Sequence, residues 1–282
     1  MNIGLIDIEP KIINTAYLQI SEYHKQRGDT VEWWIPLADG EFDHVYCSSI
    51  FDYTNKSEVP KRAICGGTGF DVNSRLSQEI EKCEYDYSLY PDCDFSIVWF
   101  SRGCIRKCPY CVVWEKEGSI KPVKPKKLNP KGKYVIVQDN NFFASPKWQS
   151  AIVDLTVWGL PVSFNGGVDA RIITKEQCRA LEDIKLHKQI YIAWDNPKDD
   201  LVPQLELIIR YIKPYKLACY VLIGYRSTPE QDLYRVETLR DLGVSPFVMP
   251  YNKKDKYQMD FARWVNRKPI FYSTKWEDYK KN

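Results

Sequence analysis

Three cysteines within eight residues are the part of this sequence best equipped for chemistry. The segment Ser-Arg-Gly-Cys-Ile-Arg-Lys-Cys-Pro-Tyr-Cys places Cys104, Cys108 and Cys111 in the pattern Cys-x3-Cys-x2-Cys. With nine cysteines in 282 residues, this spacing would arise by chance in only about one such chain in a hundred. Thiolates are strong ligands for metals, so the spacing indicates a metal-binding loop.

The number and kind of ligands separate the candidate metals. Structural zinc usually takes four ligands arranged as two separated pairs. The three histidines, His24, His44 and His187, all lie far from the loop along the chain. Three thiolates on one short loop instead match three corners of a cubane iron–sulfur cluster whose fourth iron stays open to a substrate. Zinc, or a purely structural cluster, is the alternative.

The remaining six cysteines show no spacing typical of a metal site. Free cysteine behaves as a small hydrophobic residue, so we expect these six to be buried in the core. They are Cys47, Cys65, Cys83, Cys93, Cys178 and Cys219.

Composition predicts a cytoplasmic protein without a membrane partner. Hydrophobic residues make up 44% of the chain and charged residues 27%, which is ordinary for a globular domain. No apolar run approaches the ~20 residues of a membrane span, and the first residues have neither the basic region nor the cleavage site of a secretory signal. A net charge of +3 does not by itself indicate nucleic-acid binding.

From Phe95 onward, strand and helix patterns alternate along the chain. After the first interval the strand centres recur roughly every 28 residues, which is typical of βα units on a parallel sheet. The predicted strands are Phe95–Phe100, Tyr134–Val137, Val162–Phe164, Gln189–Ala193, Ala218–Ile223 and Ser245–Met249. The helix signals between them are a Ser145-Pro146 start closed by Gly159, capping boxes at Thr174–Gln177 and Thr228–Gln231, and Gly243 as a terminator.

The N-terminal part reads as a separate β-α-β unit. Apolar strands are predicted at Ile3–Asp7, Val31–Trp34 and His44–Ser48, with a helix from Ile13 that ends at Gly28. We therefore predict three parts: a small α/β domain over residues 1–92, a larger α/β domain over 93–252, and a segment over 253–282 that packs on the open edge of the larger sheet.

The cysteine pattern, with Tyr110 directly before the last cysteine and a predicted strand directly before the loop, resembles the signature of the radical S-adenosylmethionine (SAM) superfamily. The resemblance implies a partial (βα)6 TIM-like barrel preceded by a small Rossmann-like α/β domain. It also implies a [4Fe–4S] cluster whose open iron binds the amino and carboxylate groups of SAM. One electron, from a reducing partner such as flavodoxin or ferredoxin, then splits SAM into methionine and a 5′-deoxyadenosyl radical that abstracts hydrogen from a substrate.

Polar residues follow the predicted strands at the ends where (βα) barrels carry their functional groups. By the resemblance, Tyr110 lies along the adenine, Asp139 or Asn141 contacts the amino group, and Asp195 binds the ribose. Each of these polar residues has a competing interpretation as an ordinary turn or cap. The candidate SAM-binding residues are Tyr110, Asp139, Asn141, Asp169, Arg171, Asp195 and Gly224.

The N-terminal unit resembles the cobalamin-binding domain that precedes many radical SAM barrels. The resemblance rests on the Ser48-Ser49 pair and on Gly66-Gly67, where glycine would let the backbone approach a ligand closely. The sequence has no Asp-x-His-x-x-Gly pattern to supply a cobalt ligand. Bound cobalamin and a structural remnant that braces the barrel both remain open, and the missing histidine motif favours the remnant.

The resemblance predicts hydrogen abstraction from a substrate that the sequence does not identify. Methyl or methylthio transfer, including transfer to tRNA, is an alternative, and so is a non-catalytic, metal-bound nucleic-acid-binding protein. The segment Lys121–Lys133, with three prolines and six lysines, is either a solvated loop or an RNA contact.

Overall fold

The computed structural model describes residues 1–279 and divides into two compact units. The N-terminal unit comprises residues 1–98, 106–119 and 124–133. The C-terminal unit comprises residues 99–105, 120–123 and the chain from residue 134 onward. Among the described residues, no helix has both the length and the apolar character that a membrane span requires.

A four-stranded parallel sheet in the order β2-β1-β3-β4 forms the centre of the N-terminal unit. Its strands are β1 (Asn2–Ile6), β2 (Thr30–Trp33), β3 (His44–Ser48) and β4 (Ile64–Gly66). The first three were predicted to within about one residue, because their apolar runs are short and bounded by polar turns. Strand β5 (Phe95–Val98) also belongs to this unit, but it is not one of the four strands of this sheet.

Helix α1 (Thr15–Lys25) covers this sheet. The Asn14 side chain accepts a hydrogen bond from Ala16 N at 3.0 Å and so caps the first turn. Tyr17 and Ile20 pack against Ile3 and Leu5 of β1 in one buried cluster. Two short helices complete the unit, α2 (Gln78–Lys82) and α3 (Val113–Glu117).

The C-terminal unit is a succession of parallel strands and helices, opened by a short antiparallel pair. The pair consists of β6 (Ser101–Arg102) and β7 (Lys121–Pro122). The strands that follow are β8 (Tyr134–Val137), β9 (Val162–Phe164), β10 (Ile190–Ala193), β11 (Leu217–Ile223) and β12 (Ser245–Pro250). Its helices are α4 (Trp148–Trp158), α5 (Lys175–Asp183), α6 (Val202–Ile209), α7 (Pro229–Asp241), α8 (Lys256–Asn266), α9 (Lys268–Ser273) and α10 (Trp276–Tyr279).

Strand β8 pairs in parallel with β9, and β10, β11 and β12 form a parallel sheet in that order. Isolated parallel bridges join Val162 to Leu186 and Val168 to Ile192. The predicted α/β class with parallel sheets is confirmed. Hydrogen-bonded strands form no barrel within residues 1–279, and the partial barrel stays a prediction.

Local capping chemistry sets most helix ends in this unit. Both predicted capping boxes are present, with Thr174 and Thr228 each exchanging hydrogen bonds with the residue three positions later. The prediction that α4 starts at Ser145-Pro146 was wrong. Ser145 O accepts a bond from Trp148 N at 3.2 Å, and the helix begins at Trp148 after this turn.

Helix α8 packs against β12, the edge strand of its sheet. The Asn266 amide donates to Val248 O at 2.9 Å and accepts from Val248 N at 2.8 Å. One side chain thus satisfies backbone groups that a further strand would otherwise pair with. Of the predicted C-terminal segment 253–282, residues 280–282 lie outside the described residues.

Candidate functional site

The three motif cysteines are divided between the units. Cys104 follows β6 in the C-terminal unit, whereas Cys108 and Cys111 belong to the N-terminal unit and precede α3. Cys104 and Cys108 are half-buried and Cys111 is exposed. Across residues 1–279, no three or more Cys, His, Asp or Glu side chains are grouped to hold a metal ion. The case for a metal therefore rests on the spacing along the chain and on the surroundings of Cys104.

Most of the other cysteines are buried, as predicted. Burial raises the pKa of the Cys47 thiol to about 12 and that of Cys178 to about 11. Thiols with such high pKa values are poor metal ligands, because the thiolate is the binding form. The prediction of burial was wrong for Cys65, which is exposed, and for Cys83, which is half-buried.

Asn141, in the loop after β8, lies beside the first motif cysteine. Its side chain is almost fully buried, and its Nδ2 donates to Cys104 Sγ at 3.8 Å and to Asp169 Oδ2 at 3.2 Å. Its Oδ1 is buried and accepts no hydrogen bond from any described residue. An unpaired buried acceptor costs about 1–3 kcal/mol. A ligand that donates a hydrogen bond to this atom would remove that cost.

Asp139, two residues earlier, differs from Asn141 because both of its side-chain oxygens accept hydrogen bonds. Its carboxylate is 1% exposed; Oδ1 accepts from Phe100 N at 2.8 Å and Oδ2 from Ser101 Oγ at 2.5 Å. Burial raises the pKa of Asp139 to about 6, although these hydrogen bonds act to lower it. Asp139 thus anchors the chain just before the cysteine loop. Of the two residues expected to contact the amino group, Asn141 is the one with an acceptor to offer.

Gly166, in the loop after β9, packs closely against the loop after β8. A Cβ on Gly166, after β9, would collide with the Asp139 carbonyl oxygen, so the position requires glycine. Asp169 then binds Arg171 through both oxygens, at 2.7 Å to Nε and 3.2 Å to Nη2. Arg171 Nη1 also lies 3.6 Å from Asp199 Oδ2, in the loop after β10. The loops after three successive strands are therefore linked by polar contacts.

The turn that carries Asp195 is held by its neighbours. Trp194 N donates to Tyr220 O at 2.8 Å and so continues the β10–β11 ladder by one residue. The Trp194 indole donates to Asp199 O at 2.8 Å, and Arg235 Nη1 donates to Trp194 O at 2.7 Å. Asp195 itself is half-buried at the carboxyl end of β10.

Two other predicted residues have local explanations. Gly224 adopts φ +75°, a left-handed conformation that glycine adopts without strain, so the local backbone accounts for glycine at this position. Tyr110 is half-buried in the N-terminal unit, next to Cys111. Their roles toward SAM stay predictions.

Arg235, a buried charge that contacts the Asp195 turn, was not among the predicted site residues. A signal was present in α7, where the buried stripe of Val236 and Leu239 continues through Asp232 and Arg235 at helical spacing. Charged residues in the core positions of such a stripe indicate a buried ion pair.

The glycine cluster of the N-terminal unit packs against its own chain. A Cβ on Gly67 or Gly69 would collide with the backbone carbonyls of Ser49 or Phe51. At Gly67 and Gly69 the space beside the backbone is filled by the loop after β3. The role of Gly66-Gly67 toward cobalamin stays a prediction. His24 is also occupied, with Nδ1 2.7 Å from Asp29 Oδ2 and Nε2 3.1 Å from the Tyr46 hydroxyl.

A cleft of about 360 Å³ opens near the carboxyl ends of β1 and β2, between Asp7, Trp33 and Trp34. Pockets for drug-sized ligands range from about 300 to 1,000 Å³, so this cleft has the size of a small-ligand pocket. Whether the unit binds cobalamin stays a prediction.

The lysine-rich segment is anchored by specific bonds. Lys126 Nζ donates to Glu81 O at 2.8 Å and Lys127 N to Glu84 Oε2 at 2.7 Å. Asn129 is buried, and its amide donates to Cys93 O at 2.7 Å. Lys124 and Lys131 remain exposed, so both interpretations of this segment stay open.

A comparison of the chain with protein-family models finds no match, and a comparison with curated proteins finds none either. Membership of the radical SAM superfamily therefore stays a prediction from the cysteine spacing.

Proposed function

We propose that the chain is a radical SAM enzyme that holds a [4Fe–4S] cluster on Cys104, Cys108 and Cys111. The observation that carries the proposal beyond the spacing is the buried, unpaired Oδ1 of Asn141, on the side chain whose amide contacts Cys104 Sγ. With the cluster and SAM bound, the site would supply a 5′-deoxyadenosyl radical for hydrogen abstraction.

The contacts around Asn141 support a role in holding the SAM amino group. Its Nδ2 is committed to Cys104 and Asp169, which fixes the orientation of the amide and turns Oδ1 away from these partners. An ammonium group has three donors and no acceptor, and a hydrogen bond to a charged group is worth about 1.5–3 kcal/mol. Asn141 would therefore bind the amino group of SAM beside the first cluster ligand.

The rigid surroundings support the same role. Asp139 anchors the residues before Cys104, and the Asp169–Arg171 pair holds the partner of the Asn141 amide. Binding groups held in this way lose little entropy when a ligand arrives. Asp195 would accept the ribose hydroxyls from its fixed turn after β10.

The proposed fold is a partial (βα)6 barrel that follows a Rossmann-like unit along the chain. Parallel β8–β9 and β10–β12 sheets, with bridges at Val162–Leu186 and Val168–Ile192, support the barrel. We place the protein in the cytoplasm with a flavodoxin or ferredoxin as reductant, since free thiols persist in that compartment. The N-terminal unit is a structural remnant without cobalamin.

Product analysis tests the proposal. Protein reconstituted anaerobically with iron and sulfide, then given dithionite and SAM, should form 5′-deoxyadenosine and methionine in equal amounts. Asn141→Ala should keep its iron and lose most of this turnover. Protein that carries one zinc per chain and leaves SAM intact would contradict the proposal.

A further inference from the structure

Helix α7 buries an ion pair on the side that faces its sheet. Arg235 and Asp232 are 1% and 0% exposed, and Arg235 Nη2 donates to Asp232 Oδ1 at 2.6 Å. Burial lowers the pKa of Arg235, while the Asp232 and Asp195 carboxylates act to raise it. Removing two charges from water costs several kcal/mol each, so such a pair is a poor source of stability compared with apolar residues. Its retention calls for another role.

One further nitrogen of Arg235, Nη1, reaches the end of β10. Nη1 donates to Trp194 O at 2.7 Å and to Asp195 O at 3.3 Å. Nε donates to Gln231 O at 3.3 Å within α7. The planar guanidinium therefore joins the helix to the two residues that begin the turn after β10, in a geometry that lysine cannot reproduce.

From this turn, polar contacts continue to the first motif cysteine. The Trp194 indole binds Asp199 O, and Asp199 Oδ2 lies 3.6 Å from Arg171. Arg171 binds Asp169, and Asn141 bridges Asp169 and Cys104. The series of contacts links α7 to every candidate SAM residue in the loops after β9 and β10, and to Asn141.

We infer that Arg235 is a positioning residue that fixes the Trp194–Asp199 turn and thereby sets Asp195 and Arg171 for SAM binding. The inference rests on the proposed function, because SAM is the ligand that the turn would hold. Arg235 has no contact with the ligand in this role and acts through the backbone carbonyls of the turn.

The same helix supplies a matched control. Arg240 pairs with Glu237 at the same spacing and the same 2.6 Å distance, and its Nη2 donates to the Phe271 carbonyl at 2.5 Å. Arg240 thus makes an equivalent bond to a backbone carbonyl, at α9 instead of β10. Both substitutions remove an arginine that binds a backbone carbonyl, but only the change at Arg235 affects the turn after β10.

The experiment compares Asp232→Asn/Arg235→Met with Glu237→Gln/Arg240→Met. Each double change removes both charges of its pair, so neither leaves an unpaired buried ion. Hydrogen exchange in the protein without SAM should rise about tenfold in residues 194–200 for the Arg235 variant only. The Arg240 variant should instead show faster exchange in residues 271–275. In reconstituted protein, SAM affinity should fall about tenfold for the Arg235 variant and less than about twofold for the control.

Unchanged exchange in residues 194–200 would overturn the inference, as would faster exchange there with SAM affinity equal to the wild type. Equal losses of SAM affinity in both variants would indicate general destabilisation and would also overturn it. If the wild-type protein binds neither iron nor SAM, the proposed function fails and the role toward SAM fails with it. The exchange measurement needs no cofactor, so it would still decide whether Arg235 holds the turn.

Discussion

Both units end their parallel strands in polar residues, but they use these residues in opposite ways. After β1, Glu9 accepts hydrogen bonds from Ile50 N, Phe51 N, Ser49 Oγ and Thr54 Oγ1 at 2.6 to 3.2 Å. After β8 in the C-terminal unit, Asn141 keeps a buried oxygen without a partner. The Glu9 carboxylate therefore holds a loop in place, whereas the Asn141 oxygen can still accept a hydrogen bond from a ligand.

The difference shows why position at a strand end is weak evidence for a site. The carboxyl end of a parallel sheet is the usual place for ligands. In the N-terminal unit, however, Gly67, Gly69 and Glu9 all contact the loop after β3. Native proteins seldom leave buried polar atoms unsatisfied, so an exception beside a thiol is the more specific signal. Paired substitutions, one in each unit, test this difference.

The largest effect is expected at the cysteines. Cys108→Ala should lose most of the roughly four irons per chain in reconstituted protein, because a cubane needs its thiolate corners. Cys65→Ala is the matched control, since Cys65 is an accessible thiol of the same unit outside the motif. It should keep its iron. Equal iron loss in the two variants, measured by metal and sulfide analysis, would contradict a cluster held by the motif cysteines.

The pH dependence of stability should differ between Asp139, which is buried, and Glu9, which is half-buried. The folded pKa of Asp139 is about 6 against an ordinary 3.8, so folding favours its protonated form. Its contribution is fully present below pH 3.8 and is lost as the pH rises through 6. At about 1.4 kcal/mol per unit, the loss amounts to about 3 kcal/mol. The free energy of unfolding, compared between the wild type and Asp139→Asn by urea titration from pH 4 to 7, should show this fall; parallel curves would contradict it.

Two asparagines extend the comparison to ligand binding. Asn141→Ala should weaken SAM binding about tenfold with iron content unchanged, because an acceptor for the amino group is lost. Asn14→Ala removes the buried cap of α1 in the N-terminal unit and should cost about 1 kcal/mol of stability without affecting SAM. Equilibrium dialysis with SAM and thermal unfolding of both variants measure the two effects. Wild-type SAM affinity in Asn141→Ala would exclude its proposed role.

The smallest effect is expected at Glu9, with a sign opposite to that of Asp139. Burial acts to raise the pKa of Glu9, but its hydrogen bonds outweigh burial and place the pKa below the ordinary 4.5. Its stabilising contribution is therefore present above pH 4.5 and is lost as the pH falls through the folded pKa. The difference in unfolding free energy between the wild type and Glu9→Gln should grow as the pH rises from 3 to 6. A difference that shrinks over this range would contradict the hydrogen-bonded role.

Local patterns predicted most of the fold. The strands and the Thr174–Gln177 box depend on neighbours a few residues away, so the sequence alone was sufficient. The start of α4 was missed because a turn closed by Ser145 precedes the helix. In the site, strand position identified both Asp139 and Asn141, but which of them keeps an open acceptor depends on contacts with residues about 40 positions away. Arg235 was missed for the same reason, since its partners lie at the end of β10.

Electron paramagnetic resonance of the reduced, reconstituted protein tests whether the chain holds a cluster that binds SAM. We predict a [4Fe–4S]⁺ signal whose shape changes when SAM is added, because SAM would bind the iron that has no cysteine ligand. The change should be weaker at equal SAM concentration in Asn141→Ala. A cluster signal that is unaffected by saturating SAM, or a protein that holds zinc and gives no signal, would contradict it.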